Sequence, residues 1–260
     1  MSAGAFWKID VSVQLVCCES PPPFFIVHIS SAIFNCSAPN LEACPDESLP
    51  EFAFIGRSNV GKSSLLNALA GKETLARTSP TPGFTRLMNF FTINRRWRLV
   101  DLPGYGFAQG ARKDAARFNR AVANYLRHRP NLSLVFALID SGLPPQEIDL
   151  EFIEWLTAHA VPFVLVFTKT DRASTETVQV NIAAFMERIS KWFEKSPATF
   201  TCSAQTGEGR RELLAVIDEM LTAIDAESGT VASEEEAPAL SASERARQNR
   251  KRRPDLNRPW

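Results

Sequence analysis

One stretch decides the fold of this chain: residues 52–63, which read FAFIGRSNVGKS. The first four residues are apolar and predict a buried strand, and the last eight match the pattern G-x-x-x-x-G-K-S. Residues 62–70 are predicted to form a helix that ends at Gly71, so the pattern has the strand–loop–helix context of a phosphate-binding loop. Its glycines let the backbone wrap around phosphates, and amides at a helix N-terminus bind anions.

Every residue of this loop is a predicted nucleotide contact, namely Gly56, Arg57, Ser58, Asn59, Val60, Gly61, Lys62 and Ser63. Lys62 is expected to reach the β- and γ-phosphates and so to act in catalysis, and Ser63 is expected to ligate Mg²⁺.

Short apolar runs alternate with helical patterns through the middle of the chain. Strands are predicted at residues 52–55, 88–93, 97–102, 132–139, 161–167 and 198–202, and helices at 62–70, 114–129, 147–160, 177–193 and 210–224. This alternation predicts an α/β fold with a mostly parallel, six-stranded sheet and helices on both faces. The hairpin over residues 88–102 would add one antiparallel edge strand. Because ligands of such sheets bind at the carboxyl ends of the strands, the loops there are the candidate sites.

Two further segments are predicted to contact the phosphates and the metal. The strand that ends near Val100 leads into Asp101, Leu102, Pro103 and Gly104. The Asp101 carboxylate is expected to hold Mg²⁺, and the Gly104 amide to meet the γ-phosphate and act in catalysis. The preceding loop, with Gly83, Phe84, Thr85, Arg86 and Leu87, is predicted to contact the nucleotide. Thr85 is preferred over Thr81 as the catalytic hydroxyl that completes the Mg²⁺ shell, with a purely local role in the loop as the alternative.

Two more strand ends are predicted to bind the base, with the residues Thr168, Lys169, Thr170 and Asp171, then Cys202, Ser203 and Ala204. The Asp171 carboxylate can accept hydrogen bonds from guanine N1–H and the exocyclic amine, a donor pair that adenine lacks. The Lys169 stem can pack along the base, and a small residue after Cys202 lets backbone amides approach the base oxygen. Thr168 stands where Asn is more usual and can tie loops together through its hydroxyl.

These elements, in this order, resemble the TRAFAC-type small GTPases with a Ras-like core. Within that class, the chain resembles the EngB family, also called YihA or YsxC. The resemblance is carried by the phosphate loop and by residues 76–79, 81–85, 89–91, 101–108 and 168–171. The resemblance extends from about residue 29 to residue 220. It implies a single GTPase domain that binds GTP and GDP, assists assembly of the large ribosomal subunit, and is needed for normal cell division and septation. Arg86 departs from the usual Gln of that family.

Two loop residues carry hypotheses about hydrolysis. Tyr105 occupies the position where many GTPases use Gln to orient the attacking water, and a phenol is a poor substitute. Slow intrinsic turnover, accelerated by a partner such as a ribosomal particle, is therefore expected. Asn59 resembles the Asn of potassium-activated GTPases that helps hold K⁺ beside the phosphates; its alternative role is to shape the loop.

The ends of the chain differ from the middle. Residues 1–47 are irregular, with a β-like run at 24–27 as a possible first strand, and residues 48–225 are predicted to be the GTPase domain. Residues 226–260 are predicted to be a disordered tail, acidic at 234–236 and basic from 245 onward. Basic arms bind nucleic acid through its phosphates, so rRNA and the large-subunit precursor are the predicted partners, with a solvated tail as the alternative.

Composition excludes several classes of protein. The chain has 260 residues with 29 basic and 29 acidic side chains, which excludes a uniformly basic coat protein. Its five cysteines lack metal-site spacing and predict reduced thiols, and no apolar run reaches the length of a membrane span. A cytoplasmic monomer without membrane contact is expected. The alternatives are a nucleotide-gated binding module, a signalling or membrane-linked GTPase, which the absence of a C-terminal prenylation signal disfavours, and a P-loop kinase.

Overall fold

The structure is a computed structural model that describes residues 28–45, 49–72, 75–76, 87–105 and 112–234. For residues 112–119 and 228–234 it describes the backbone alone. The chain divides into two units between residues 218 and 219.

The described residues include seven strands and five α-helices. The strands are β1 (Ala32–Ala38), β2 (Glu51–Gly56), β3 (Met88–Ile93), β4 (Trp97–Asp101), β5 (Leu132–Asp140), β6 (Phe163–Thr168) and β7 (Thr199–Cys202). The helices are α1 (Lys62–Ala70), α2 (Arg112–His128), α3 (Glu147–Ala158), α4 (Thr175–Ile189) and α5 (Arg210–Glu234). Their order confirms the predicted α/β alternation.

The strands form one sheet in the order β1-β3-β4-β2-β5-β6-β7. The strands β4, β2, β5, β6 and β7 run parallel, and only β3 runs opposite to its sheet neighbours on both sides. Every residue of β2 is buried, because this strand lies between β4 and β5 with both faces covered. The phosphate loop therefore starts from the centre of the sheet.

The predicted sheet was wrong in one respect. The β3–β4 hairpin is present, with Asn94 and Arg95 both at positive φ in its turn, but β3 is not the edge strand. The strand β1 pairs along the outer side of β3 and makes seven strands instead of six. The middle residues of β1 are mostly exposed, so its sequence, AIFNCSA, does not need the apolar alternation of a half-buried strand. The sequence pattern therefore did not predict it. The β-like run expected at residues 24–27 lies outside the described residues.

The sheet thus begins before residue 48, the expected start of the domain. The last helix likewise continues to Glu234, past residue 225 and into the segment expected to be disordered. Residues 226–234 have few apolar side chains and no proline, so the helix continues through them although Gly229 has a low helix propensity.

Alternate residues of the strands point to opposite faces of the sheet, and both faces are packed. On one face, Ala53 and Ile55 of β2 belong to a buried cluster with Leu126 of α2 and Ile153 of α3. On the other face, the rings of Phe54 and Phe136 stack with their centroids 4.5 Å apart.

The helix α1 begins and ends where the sequence predicts. Gly61 precedes it with φ of 102°, and Gly71 follows it with φ of 62°, conformations that residues with a Cβ rarely adopt. Arg210 at the start of α5 donates hydrogen bonds to the carbonyls of Ala68 and Leu69, at 2.7 and 2.9 Å. The Ala68 carbonyl also accepts a 3.3 Å hydrogen bond from the Gly71 amide, whereas the Leu69 carbonyl is one of those that the end of a helix leaves without an intrahelical donor. The two bonds from Arg210 hold in place the helix whose N-terminus closes the phosphate loop.

A buried carboxylate anchors the other end of β2. The carboxylate of Glu51, at the first residue of the strand, accepts hydrogen bonds from Arg98, Arg129, Tyr125 and Asn131, at 2.7–3.2 Å. Burial, followed by the charge of Glu51, raises the pKa of the Tyr125 phenol well above its usual range, so the hydroxyl stays a donor. This network fixes the β2 end opposite the phosphate loop.

Candidate functional site

The carboxyl ends of five parallel strands bring the predicted segments to one edge of the sheet. The phosphate loop follows β2, residues 102–104 follow β4, residues 169–171 follow β6 and residues 203–204 follow β7. The edge also receives Asp140 at the end of β5, which the sequence analysis did not single out. The rule that ligands bind where parallel strands end would have identified it.

The phosphate loop has the compact backbone that its glycines predict. A Cβ on Gly56 would lie 2.7 Å from the Leu138 carbonyl oxygen, closer than such atoms approach in proteins. Asn59 has φ of 67°, a left-handed conformation that Asn tolerates better than most residues. Only glycine fits at the first of these positions, and Asn59 has a conformational role whatever else it does.

Two predicted residues from different segments meet directly. The ammonium group of Lys62 forms a buried ion pair with Asp101, and Asn89 of β3 donates a 3.5 Å hydrogen bond to the other oxygen of that carboxylate. The pairing of β2 with β4 sets this contact, because Phe54 lies opposite Asp101 in the sheet. Lysine and carboxylate are thereby presented together at the start of the α1 helix.

The segment that contains Gly104 lies against the phosphate loop. The Tyr105 amide donates to the Gly56 carbonyl, and the Ser58 amide donates to the Tyr105 carbonyl, both at 3.2 Å. A Cβ on Gly104 would be 3.0 Å from the Gly56 carbonyl oxygen and 3.2 Å from the Ser58 nitrogen. The two segments are therefore joined through their backbones, and position 104 leaves little room for a side chain.

The base-side segment is attached to the same loop through Thr168. Its hydroxyl, which is buried, lies 2.6 Å from the Val60 carbonyl and 3.2 Å from the Ile139 carbonyl. The loop-tying role predicted for this hydroxyl therefore has a definite partner. The Thr168 hydroxyl thus connects the ends of β6 and β5 with the phosphate loop.

Lys169 and Asp171 of this segment contact different partners. The Lys169 ammonium donates to the Asn59 carbonyl at 2.7 Å and pairs with Asp140 at 2.6 Å. Asp171 is exposed, and its carboxylate accepts a 2.6 Å hydrogen bond from the buried hydroxyl of Ser203. Ser203 thus orients Asp171, and the small residue predicted at this strand end also acts through its side chain.

Several predicted residues lie outside the described part of the chain, namely Gly83, Phe84, Thr85 and Arg86. The loop that carries them is anchored at its beginning, because Asn67 of α1 exchanges two hydrogen bonds with the backbone of Ala76, at 2.7 and 3.1 Å. Leu87, at its other end, is described and 40% exposed.

Among the described residues, no group of three or more His, Cys, Asp or Glu side chains could hold a metal ion. The described cysteines, Cys36, Cys44 and Cys202, are free thiols. The same part of the chain contains no helix long and apolar enough to cross a membrane.

Comparisons with known proteins show what the chain is similar to. A family model described as "50S ribosome-binding GTPase" matches residues 51–169. The "Probable GTP-binding protein EngB" of Phocaeicola vulgatus is 45% identical over 192 residues, which cover 74% of this chain and 96% of that relative. The protein with the same description from Cytophaga hutchinsonii is 45% identical over 190 residues, covering 73% and 96% of the two chains.

This chain belongs to the EngB family. It is a GTP-binding protein and a GTPase with the Ras-like fold that the sequence predicts. A crystal structure described as a probable GTP-binding protein engB superposes with a TM-score of 0.52 at 25% identity, over 66% of this chain and 98% of that one. Era of Aquifex aeolicus, bound to GDP and aluminium fluoride, has a TM-score of 0.53 at 21% identity, over 66% and 56% of the chains, and shares the fold. The roles of individual EngB-family site residues in this chain stay predictions.

Proposed function

We propose that this GTPase is a Mg²⁺-dependent switch that hydrolyses GTP slowly and takes part in assembly of the large ribosomal subunit. The observation that carries the proposal is the joining of three loops at one sheet edge. The phosphate loop is bonded to the Gly104 segment through Tyr105 and to the base-side segment through Thr168. A nucleotide held by one loop would thus affect the positions of the other two.

The side chains available for the metal fit Mg²⁺, which prefers oxygen ligands. Ser63 supplies a hydroxyl beside Lys62, and Asp101 supplies a carboxylate at the end of β4; we assign Thr85 as the third ligand. When bound, the ion neutralises charge that develops on the phosphate oxygens. Lys62 reaches the β- and γ-phosphates, and the Gly104 amide binds the γ-phosphate. Removal of Mg²⁺ by a chelator should abolish hydrolysis; unchanged turnover would contradict these assignments.

We assign guanine selection to Asp171, oriented by Ser203. A carboxylate fixed in this way accepts the two donors of guanine and repels the acceptor nitrogen that adenine places there. The test is competition of ATP and GTP against a fluorescent GDP. Equal competition would refute the assignment.

The position of Tyr105 supports slow intrinsic hydrolysis. Its ring packs on Phe152 of α3 with the centroids 4.4 Å apart, and its hydroxyl is buried. A hydroxyl turned toward α3 does not orient water in line with a γ-phosphate, so a partner would have to supply that function. We expect single-turnover hydrolysis to accelerate when large ribosomal subunits or their precursors are added.

We also propose that Asn59 helps hold K⁺ beside the phosphates; the alternative is that Asn59 only shapes the loop. Its left-handed backbone and the Lys169 contact to its carbonyl support the loop-shaping role, while the resemblance to potassium-activated GTPases supports a K⁺ ligand. Hydrolysis rates in KCl and NaCl decide between them. Equal rates would reject the K⁺ role.

The ribosomal partner is supported by the description of the matching family model, which names the 50S subunit. We extend this to a cytoplasmic monomer needed for normal division and septation, in line with the EngB resemblance. Co-sedimentation with purified 50S subunits and precursors, in the GTP and GDP states, tests the partner. Binding that is absent in both states would refute the ribosomal role and leave the GTPase activity untouched.

The basic tail is the proposed rRNA contact. Residues 245–258 contain six arginines and one lysine, and phosphate contacts of this kind weaken as salt rises. Deletion of residues 241–260 should lower rRNA affinity and flatten its dependence on salt. Unchanged affinity across salt concentrations would remove the tail from the proposal.

A further inference from the structure

Three polar side chains from separate parts of the chain meet beside the phosphate loop. Arg57 follows Gly56 in that loop, Tyr105 follows Gly104, and Asp149 lies in the first turn of α3. The Arg57 Nε atom is 3.6 Å from Asp149 Oδ2, and Asp149 is only 2% exposed. We call these residues the Arg57–Tyr105–Asp149 cluster.

The electrostatics of the cluster define the role of each group. Burial raises the pKa of the Tyr105 phenol well above its usual range, and the Asp149 charge raises it further, so the hydroxyl stays protonated. Burial also raises the pKa of Asp149, an effect that the Arg57 charge opposes. Asp149 is thus a buried carboxylate that pairs with the Arg57 cation and whose charge also acts on the Tyr105 hydroxyl.

The cluster is not fully satisfied. Within the described residues, Arg57 Nε, the Tyr105 hydroxyl and Asp149 Oδ1 are buried and have no partner at hydrogen-bond geometry. Buried polar atoms in this condition are rare, and each costs free energy. An apolar trio of similar volume would stabilise the fold at least as well, because buried ion pairs add little net stability. Stability alone is therefore a weak explanation for the cluster.

Its location offers a better explanation. The backbones of Arg57 and Tyr105 already run side by side as an isolated parallel bridge. Gly104 lies between Asp101 and this bridge in the chain, and a Cβ there would be 3.0 Å from the Gly56 carbonyl oxygen, so the backbone of Gly104 packs closely against the phosphate loop. A group on α3 that holds Arg57 therefore acts on this bridge, and through the bridge on where the Gly104 amide points.

We propose that Asp149 is a positioning residue for GTP hydrolysis, which holds the Arg57 side chain and thereby, through the backbone bridge between Arg57 and Tyr105, sets the Gly104 amide relative to the phosphate loop. The inference rests on the proposed contact between Gly104 and the γ-phosphate. Asp149 itself touches neither nucleotide nor metal. It acts on hydrolysis only through Arg57 and the backbone bridge that joins Arg57 to Tyr105.

The test is Asp149→Asn, with Glu154→Gln as a matched control on the exposed side of the same helix. The Asn variant keeps the size of the side chain and loses the charge that faces Arg57. We expect its single-turnover hydrolysis rate to fall about tenfold, while its affinity for a fluorescent GDP stays within about twofold of the wild type. The control variant should match the wild type in both measurements.

A second variant separates positioning from stability. Arg57→Met combined with Asp149→Leu removes both charges and leaves no buried ion unpaired. We expect thermal unfolding of this double variant near the wild-type temperature, with hydrolysis still slow. Recovery of both stability and hydrolysis would show that the cluster is structural and would overturn the proposal, as would wild-type hydrolysis by Asp149→Asn.

The variant Gly104→Ala distinguishes a failure of the proposed function from a failure of the inference about Asp149. If this variant hydrolyses GTP at the wild-type rate, the close placement of position 104 against the phosphate loop does not limit hydrolysis, and the inference about Asp149 fails while the amide contact of the proposed function is untouched. If Gly104→Ala is slow while Asp149→Asn is normal, the proposed function stands and only the positioning role of Asp149 is refuted.

Discussion

The Thr168 hydroxyl offers the most direct test of how the loops are joined, through the substitution Thr168→Val. Valine has nearly the same shape, so the change removes the hydroxyl with little disturbance of packing. The lost bonds are those to the Val60 and Ile139 carbonyls, at 2.6 and 3.2 Å, in a buried position. A buried carbonyl that loses its donor costs about 1–3 kcal/mol.

The consequence should appear in both stability and nucleotide affinity. We expect the thermal unfolding temperature to fall by about 2–4 °C for each kcal/mol lost in a chain of this size. Since Val60 belongs to the phosphate loop, part of the cost should also weaken GDP binding, by up to about tenfold for 1.4 kcal/mol. Calorimetric unfolding and titration with fluorescent GDP measure the two effects.

The matched control is Thr168→Ser, which keeps the hydroxyl and loses the methyl group. If the reasoning is correct, this variant retains most of the GDP affinity that Thr168→Val loses. Wild-type affinity and stability in Thr168→Val would refute the argument. An equal loss in both variants would show that the methyl group, and not the hydrogen bond, holds the loops together.

Three other outcomes are expected from single groups. Glu51→Gln should lower the free energy of unfolding by about 3 kcal/mol, because it removes the buried charge that pairs with Arg98. Urea unfolding measures this loss, and GDP affinity should not change. Tyr105→Phe should slow basal hydrolysis by no more than about threefold, since the ring still packs on Phe152, and a hundredfold drop would show that the phenol orients water. Burial raises the pKa of the Cys44 thiol to about 11. About one molecule in a thousand is then thiolate at pH 8, so Cys44 should react with a maleimide far more slowly in native than in urea-unfolded protein, as mass spectrometry can quantify.

The elements that the sequence predicts well are those whose signal is local. The α1 helix is bounded by two glycines, and its predicted limits, residues 62–70, are confirmed. The hairpin of β3 and β4 is confirmed as well, because its turn and both apolar runs are contiguous. The end of α4 was less accurate: the predicted helix to residue 193 stops at Ile189 and continues as a 3₁₀ turn. The apolar pattern does not distinguish a helix from the tighter turn that ends it.

The residues of the candidate site also divide into those that a local sequence pattern identifies and those that it does not. Lys62, Asp101 and Asp171 were named from patterns at strand ends, and the structure brings them to one edge. Asp140 and Asp149 were not named, although the first follows a predicted strand. Asp149 lies inside a helical pattern, where an acidic residue in the first turn reads as an ordinary helix start. Nothing near it in the chain indicates that it is buried.

The amino-acid sequence by itself determined the phosphate loop, the alternation of strands and helices, and the class of nucleotide, because these depend on residues within a few positions of each other. The tertiary structure alone decided that β1 covers the edge of β3, that Thr168 holds Val60, and that Asp149 pairs with Arg57. Such contacts join residues roughly fifty to a hundred positions apart. Their geometry follows from sheet register and helix packing, which no local pattern encodes.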